Sequence, residues 1–270
     1  MTSPSRKLPV IFIHGLWIHS EAWKPWLDLF QSCGYPASAP GWPGDGATVS
    51  ETRKHADALN DVGIGQLVDH YAGLAAPRGR GPRAIVIGHS FGGLIAQLLL
   101  DRNIAAAAVA IDPAPIKGVK VLPWAQVRSG FPILGNPGTL HRTVSLTPKQ
   151  FHYAFGNNLS REESDALHAA YSIPGPGKPL FEGAAANFSR HAPSAVNVLN
   201  AARGPLLLTS GSRDHVVPLK VTKAVQRLYE KGQSDTDFHL FEGRGHSLTI
   251  DNGRKEVADV VLRWLASKGL

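Results

Sequence analysis

The sequence predicts an α/β fold: a mainly parallel sheet of about six strands, flanked by helices and interrupted by one helical insertion. Two observations carry this. Short β-branched, apolar runs of strand length alternate with amphipathic stretches of helical period, the pattern of parallel strands joined by helical crossovers. Between residues 117 and 202 the alternation stops, leaving Pro/Gly punctuation around short helices. A segment that long between two sheet strands is an inserted cap, so residues 1–116 and 203–270 form one core and 117–202 the insertion.

Each element has a local reason. Residues 9–13 form a buried strand ending at His14-Gly15-Leu16-Trp17. Ser20 is the expected N-cap of the next helix, with Trp23, Trp26, Leu27 and Phe30 at helical spacing and Gly34 as its stop. These aromatics are assigned to the core, and Cys33, beside Gly34, to packing. A short strand near 35–39 enters the turn-rich loop 40–46, and helices are expected over about 50–60 and 64–76. Four apolar residues, 84–87, then run into Gly88-His89-Ser90-Phe91-Gly92 and an apolar helix. Residues 106–111 are a further buried strand, ending at Asp112.

Inside the insertion, Thr147-Pro148 opens one helix, and Ser160-Arg161-Glu162-Glu163 is a capping box opening another to about Tyr171. The sheet resumes at 205–209 and leads to Gly211-Ser212-Arg213-Asp214-His215-Val216-Val217-Pro218. A helix over about 219–230 follows. The last strand, 237–241, enters Gly243-Arg244-Gly245-His246, and a helix from about Arg254 closes the chain.

Composition narrows the function classes. A chain of 270 residues, 43% hydrophobic, can build a full core. No run has the length of a membrane span, and the first residues lack a signal peptide's apolar centre, so a cytoplasmic protein without membrane partners is expected. The single cysteine excludes an internal disulfide. Twelve histidines invite a metal reading, but His14 and His19 do not stack on one helical face and no His-Glu-x-x-His occurs, so neither metal nor cofactor is expected. The net charge of +7 is mostly dispersed. Its one cluster, Arg78, Arg80 and Arg83, is read as a solvated connection, and no nucleic-acid partner is expected.

Strand, Gly-x-Ser-x-Gly and helix in succession make a nucleophile elbow, which would hold Ser90 out at the sheet's carboxyl edge. Asp214 and His246 end two other strands, and in an open α/β sheet those ends share one crevice. A serine hydroxyl needs a base to accept its proton, which an imidazole supplies, and a carboxylate fixes that imidazole's orientation.

With His14-Gly15 after the first strand, the elbow, the Asp214 segment and Gly243-Arg244-Gly245-His246, the sequence resembles the α/β-hydrolase superfamily, within it the capped esterase, lactonase and perhydrolase-like enzymes. The resemblance implies an α/β-hydrolase fold; the sequence departs from it in having so few residues before the His14-Gly15 strand that the usual first two antiparallel strands are expected to be missing. It implies Ser90 as nucleophile, His246 as general base, Asp214 as acid, and an oxyanion hole from the backbone N–H groups of Leu16 and Phe91. Because the superfamily also takes its acid from the strand before the cap, Asp112 stays the alternative to Asp214.

The expected activity is hydrolysis of a small carboxylic ester or lactone through an acyl-enzyme. The alternatives are C–C bond hydrolysis, perhydrolysis or lyase chemistry on the same triad, or a slow-turnover ligand receptor. Trp17, His89, Phe131 and Phe155 are the candidates for substrate contact, weighed against packing in the core, beside the elbow or within the cap.

Overall fold

In the computed structural model, residues 7–77, 79 and 81–270 are described. The strands are β1 (Val10–Ile13), β2 (Ala37–Ser38), β3 (Ile85–His89), β4 (Ala107–Ile111), β5 (Thr143–Val144), β6 (Gly175–Pro176), β7 (Leu206–Gly211) and β8 (Thr236–Phe241). Before the elbow the helices are α1 (Lys24–Ser32), α2 (Val49–Lys54) and α3 (Ile64–Ala75), and α4 (Phe91–Asp101) follows it. Then come α5 (Trp124–Leu134), α6 (Pro148–Ala154), α7 (Arg161–Tyr171), α8 (Lys178–Ala185), α9 (Leu219–Tyr229) and α10 (Arg254–Ser267).

Six strands form one sheet in the order β2-β1-β3-β4-β7-β8, every neighbouring pair parallel. Ile13 stands opposite Gly88, and His89 opposite Ile111, so the residues following β1, β3 and β4 emerge at one edge. Period-two alternation sorts the side chains onto two faces. Phe12, Ile85 and Ile87 pack with Trp23, Trp26 and Phe30 of the α1 segment and with Val261 and Trp264 of α10; Ile11, Ile13 and Val86 face α3 and α4. The Phe12 ring lies 4.9 Å from Trp23 and 5.1 Å from Phe30, as the helical spacing of those aromatics requires.

Several local expectations shift. The helix after β1 begins with a 3-10 turn, Ser20–Trp23, capped by His19: its Nδ1 accepts from Glu21 N–H at 3.2 Å while Nε2 lies 3.1 Å from the Gly46 carbonyl. An imidazole anchored on the 40–46 loop thus takes the place of the Ser20 hydroxyl. Cys33 is exposed, because the last turn of α1 leaves the core before Gly34 reverses the chain. The helix expected over 50–60 breaks at His55, where the chain bends so that Leu59 reaches the core. Ser160 caps α7, but the Glu163 carboxylate does not reach back; it accepts from Asn252 N–H and Nδ2–H at 3.0 and 2.9 Å, tying the excursion to the segment before α10.

The excursion between β4 and β7 contains α5 to α8 and one small antiparallel pair, β5 with β6, where no strand was expected. Two residues per strand are too few to show a period. Its aromatics divide: Phe151 and Phe155 are buried and stacked, whereas Trp124, Phe131 and Phe188 are 75%, 65% and 93% exposed. Among the described residues no helix is long and apolar enough to cross a membrane. Arg78 and Arg80 of the basic cluster lie outside the described residues.

Candidate active site

The turn from β3 into α4 is too tight for side chains at its flanks. A Cβ on Gly88 would stand 2.0 Å from the Gly92 carbonyl oxygen, and one on Gly92 2.1 Å from the Ile13 carbonyl oxygen. Ser90, between them, is driven to φ 56°, ψ −118°, a conformation that L-residues avoid and that persists where its surroundings over-determine it. Its N–H donates to the Ile111 carbonyl at 2.9 Å, and its carbonyl accepts from Leu94 and Ala114 N–H. The backbone on both sides is therefore fixed, and the hydroxyl stands at the sheet edge.

Asp214 and His246 arrive on the loops after β7 and β8. Those loops are joined by backbone bonds from Ser212 N–H to the Phe241 carbonyl, 3.0 Å, and from Arg213 N–H to the Arg244 carbonyl, 2.8 Å. Both side chains are buried. Asp214 Oδ1 accepts from Val216 and Val217 N–H at 2.6 and 2.8 Å, and Oδ2 lies 2.6 Å from His246 Nδ1. His246 Nε2 is buried without a hydrogen-bond partner, so the Ser90 hydroxyl is not bonded to it in this state. Such contacts commonly close only when a ligand is bound.

The loop after β1 is clamped from two sides. His14 stacks on Trp42 at 5.1 Å, its Nε2 lies 3.0 Å from Asp45 Oδ2, and Trp42 Nε1–H donates to the His14 carbonyl at 3.2 Å. Asp45 Oδ2 also accepts from Trp42 N–H at 2.8 Å. On the other side, Trp17, at φ 69°, donates Nε1–H to the Val144 carbonyl, and its own carbonyl accepts from Ile173 N–H, both at 3.0 Å. The N–H groups of Leu16 and Phe91 take no protein acceptor among the described residues. Trp42 and Asp45 were not singled out from sequence, since a carboxylate inside a Pro/Gly-rich turn carries no mark of its long-range partner.

His89 braces His246 from beneath. Its Nε2–H donates to the His246 carbonyl at 2.9 Å, with the two rings 4.6 Å apart. Burial, and then the neighbouring His246, hold the His89 pKa well below the ordinary histidine value, so the ring is neutral. The folded state thus refuses a proton that the unfolded chain accepts below about pH 6.5. This contribution is complete above that pH and is lost as pH falls below it. Thermal unfolding should show a falling midpoint from about pH 6.5 downward, and His89→Gln, which keeps a donor without titrating, should flatten that fall.

Over residues 10–260 the sequence matches the model of the alpha/beta hydrolase family. The chain belongs to that family. No curated protein matches it. Solved structures similar to this α/β-hydrolase include a methylesterase from Arabidopsis, 13% identical with a TM-score of 0.66, covering 96% of this chain and 99% of the other. Polyneuridine aldehyde esterase is 16% identical with a TM-score of 0.66 and coverages of 95% and 98%. A pyrethroid hydrolase from Sphingobium faniae is 16% identical with a TM-score of 0.64 and coverages of 95% and 96%. Identities this low establish a shared fold.

Of the four substrate-contact candidates in this α/β-hydrolase, Phe155 comes against His246, ring to ring at 5.0 Å. Trp17 is buried in the loop after β1, and His89 lies behind His246. Phe131 lines an open, apolar groove of about 420 Å³ between α5 and α6, with Trp124, Val127, Arg128 and Tyr153; Ser90, Asp214 and His246 do not line it. Donor atoms of His89, Asp112 and His246 lie within 4.8 Å of one another. Each residue already serves a bond of this framework: His89 to the His246 carbonyl, Asp112 to Gly211 N–H and His246 to Asp214.

Proposed function

We propose that this α/β-hydrolase is a serine esterase acting on a small carboxylic ester or lactone. The observation that carries the reading is the buried His246, whose Nδ1 is committed to Asp214 at 2.6 Å while Nε2 has no partner, on the edge where Ser90 is held at φ 56°. A neutral imidazole with Nδ1–H fixed by a carboxylate presents Nε2 as the acceptor for a serine proton. Ser90 attacks the carbonyl carbon as His246 takes its proton. The oxyanion is met by the N–H groups of Leu16 and Phe91, a pair of donors worth roughly 3 kcal/mol each in comparable sites. His246 returns the proton to the leaving alcohol, then activates the water that releases the acid and restores Ser90.

Residues 117–202 act as the cap. Phe155 against His246 and the two bonds that tie Val144 and Ile173 of the excursion to Trp17 support this, because they hold the excursion over the edge that carries Ser90. With Ser90 and His246 buried, the acyl group admitted is small and apolar.

The test is a time course of 4-nitrophenyl acetate and butyrate hydrolysis, with an active-site phosphonate titration alongside. Sustained turnover, with one phosphonate per chain attached at Ser90, is the expected result. Labelling without turnover would move the assignment to non-ester chemistry or a receptor, and absence of labelling would sink the serine mechanism altogether.

A further inference from the structure

A second carboxylate stands beside the Asp214–His246 pair and the mechanism above does not use it. Asp112 follows β4, one strand over from Ser90, and is fully buried. Its backbone adopts φ 42°, a left-handed conformation unusual for a non-glycine residue, which turns the carboxyl under the loop after β7. Oδ1 accepts from Gly211 N–H at 2.7 Å. Oδ2 is buried and no donor reaches it. The charged and titratable groups facing it are His246 and His89, each with a ring nitrogen within 4.8 Å of an Asp112 oxygen, Asp214, which is bonded to that same His246, and Arg244. Arg244 spends its guanidinium on Asp251 and Glu256 and supplies no counter-ion contact here.

Two ionised carboxylates cannot share such a site, so one holds a proton. Donor counting says which. Asp214 accepts three hydrogen bonds, from Val216 N–H, Val217 N–H and His246 Nδ1–H; Asp112 accepts one. The carboxylate with more donors keeps its charge. The orphaned Oδ2 of Asp112 then becomes a donor, and the neighbouring acceptor is Asp214, the other carboxylate gathered at His246.

We propose that Asp112 is a positioning residue of the triad: a neutral carboxylic acid whose Oδ2–H donates to the Asp214 carboxylate that also holds His246. The proposal rests on the serine-esterase reading, with Asp214 as the acid, and gives the competing carboxyl a different task. By taking up part of the charge on Asp214, the Asp112 proton weakens the hold of that carboxylate on the protonated His246 ring. Burial first, then the charge on Asp214, hold the Asp112 carboxyl well above the usual carboxylate range, against the pull of Gly211 N–H and Arg244.

Two measurements test it. In Asp112→Ala the donor is lost and His246 becomes more basic, so the acid limb of kcat/KM should move up by about one pH unit, with a several-fold loss of activity near pH 6. Asp112→Asn, whose amide can donate to Asp214 while its carbonyl accepts from Gly211 N–H, should bring the limb back to within about 0.3 unit of wild type. An ionised Asp112 behaves oppositely: Asp112→Asn would remove a buried negative charge beside His246 and move the limb down by about one unit, which overturns the proposal.

The second measurement needs no turnover. With aspartate labelled at the carboxyl carbon, the wild type should show one resonance still at its protonated position near pH 7, absent from Asp112→Asn. If every aspartate has ionised by about pH 5, the proposal falls whatever the enzyme does. If the protonated resonance is present but Ser90 takes no phosphonate, the serine-esterase reading falls instead.

Discussion

Ser90→Ala is expected to lower kcat for 4-nitrophenyl butyrate by about five orders of magnitude, leaving the residual rate that a polarised carbonyl shows toward water. The nucleophile is irreplaceable because no other hydroxyl or thiol is offered by the elbow, where Gly88 and Gly92 flank the serine at the points of closest backbone approach. Stability should respond differently. Ser90 Oγ holds no hydrogen bond that the structure depends on, and alanine carries the same Cβ at φ 56°, so the unfolding free energy of Ser90→Ala should stay within about 0.5 kcal/mol of wild type. Ser90→Gly removes that Cβ and should be more stable by up to about 1 kcal/mol while equally inactive. Matched urea melts and rate measurements on the two variants separate the strain the fold carries for Ser90 from the chemistry it serves.

Asp214→Asn should cost about ten-thousand-fold in kcat/KM with little change in fold. The reason is readable in its hydrogen bonds. Oδ1 is fixed by the N–H groups of Val216 and Val217, so an asparagine must place its carbonyl there and its NH2 toward His246. An NH2 facing Nδ1 makes that nitrogen an acceptor and moves the imidazole proton to Nε2, where it meets Ser90 as a donor and cannot take the serine proton. Nuclear magnetic resonance of the ring nitrogens would show the exchange of tautomers directly. Near-wild-type activity in Asp214→Asn would return the acid's role to Asp112.

The contrast between these residues and their supports shows how far sequence reading extends. The elbow was legible because its requirements are local: a strand, two glycines at fixed spacing and a helix lie within about fifteen consecutive residues, and steric approach dictates each. The parallel sheet was legible because alternating strand and helix periods leave few other topologies. Asp214 and His246 could be placed on one edge because each closes a strand of that sheet. Helix starts were less secure. Ser20 has the side chain of an N-cap, yet His19 performs the capping because Gly46, 27 residues away, holds the other side of its ring. Likewise Glu163 turns away from its expected local bond toward Asn252, 89 residues on.

By itself, then, the sequence determined the family, the sheet and the three side chains proposed for the chemistry, because strand edges and a glycine-framed turn are consequences of short-range sterics and period. Tertiary structure alone decided which nitrogen of His246 meets a carboxylate, that Asp45 and Trp42 clamp the loop after β1, that Phe155 rather than Phe131 reaches His246, and that Asp112 lies near His246 with a bare oxygen. Those facts depend on contacts between residues tens to more than a hundred positions apart. Whether a buried polar atom finds a donor there is settled by packing, which no local pattern encodes.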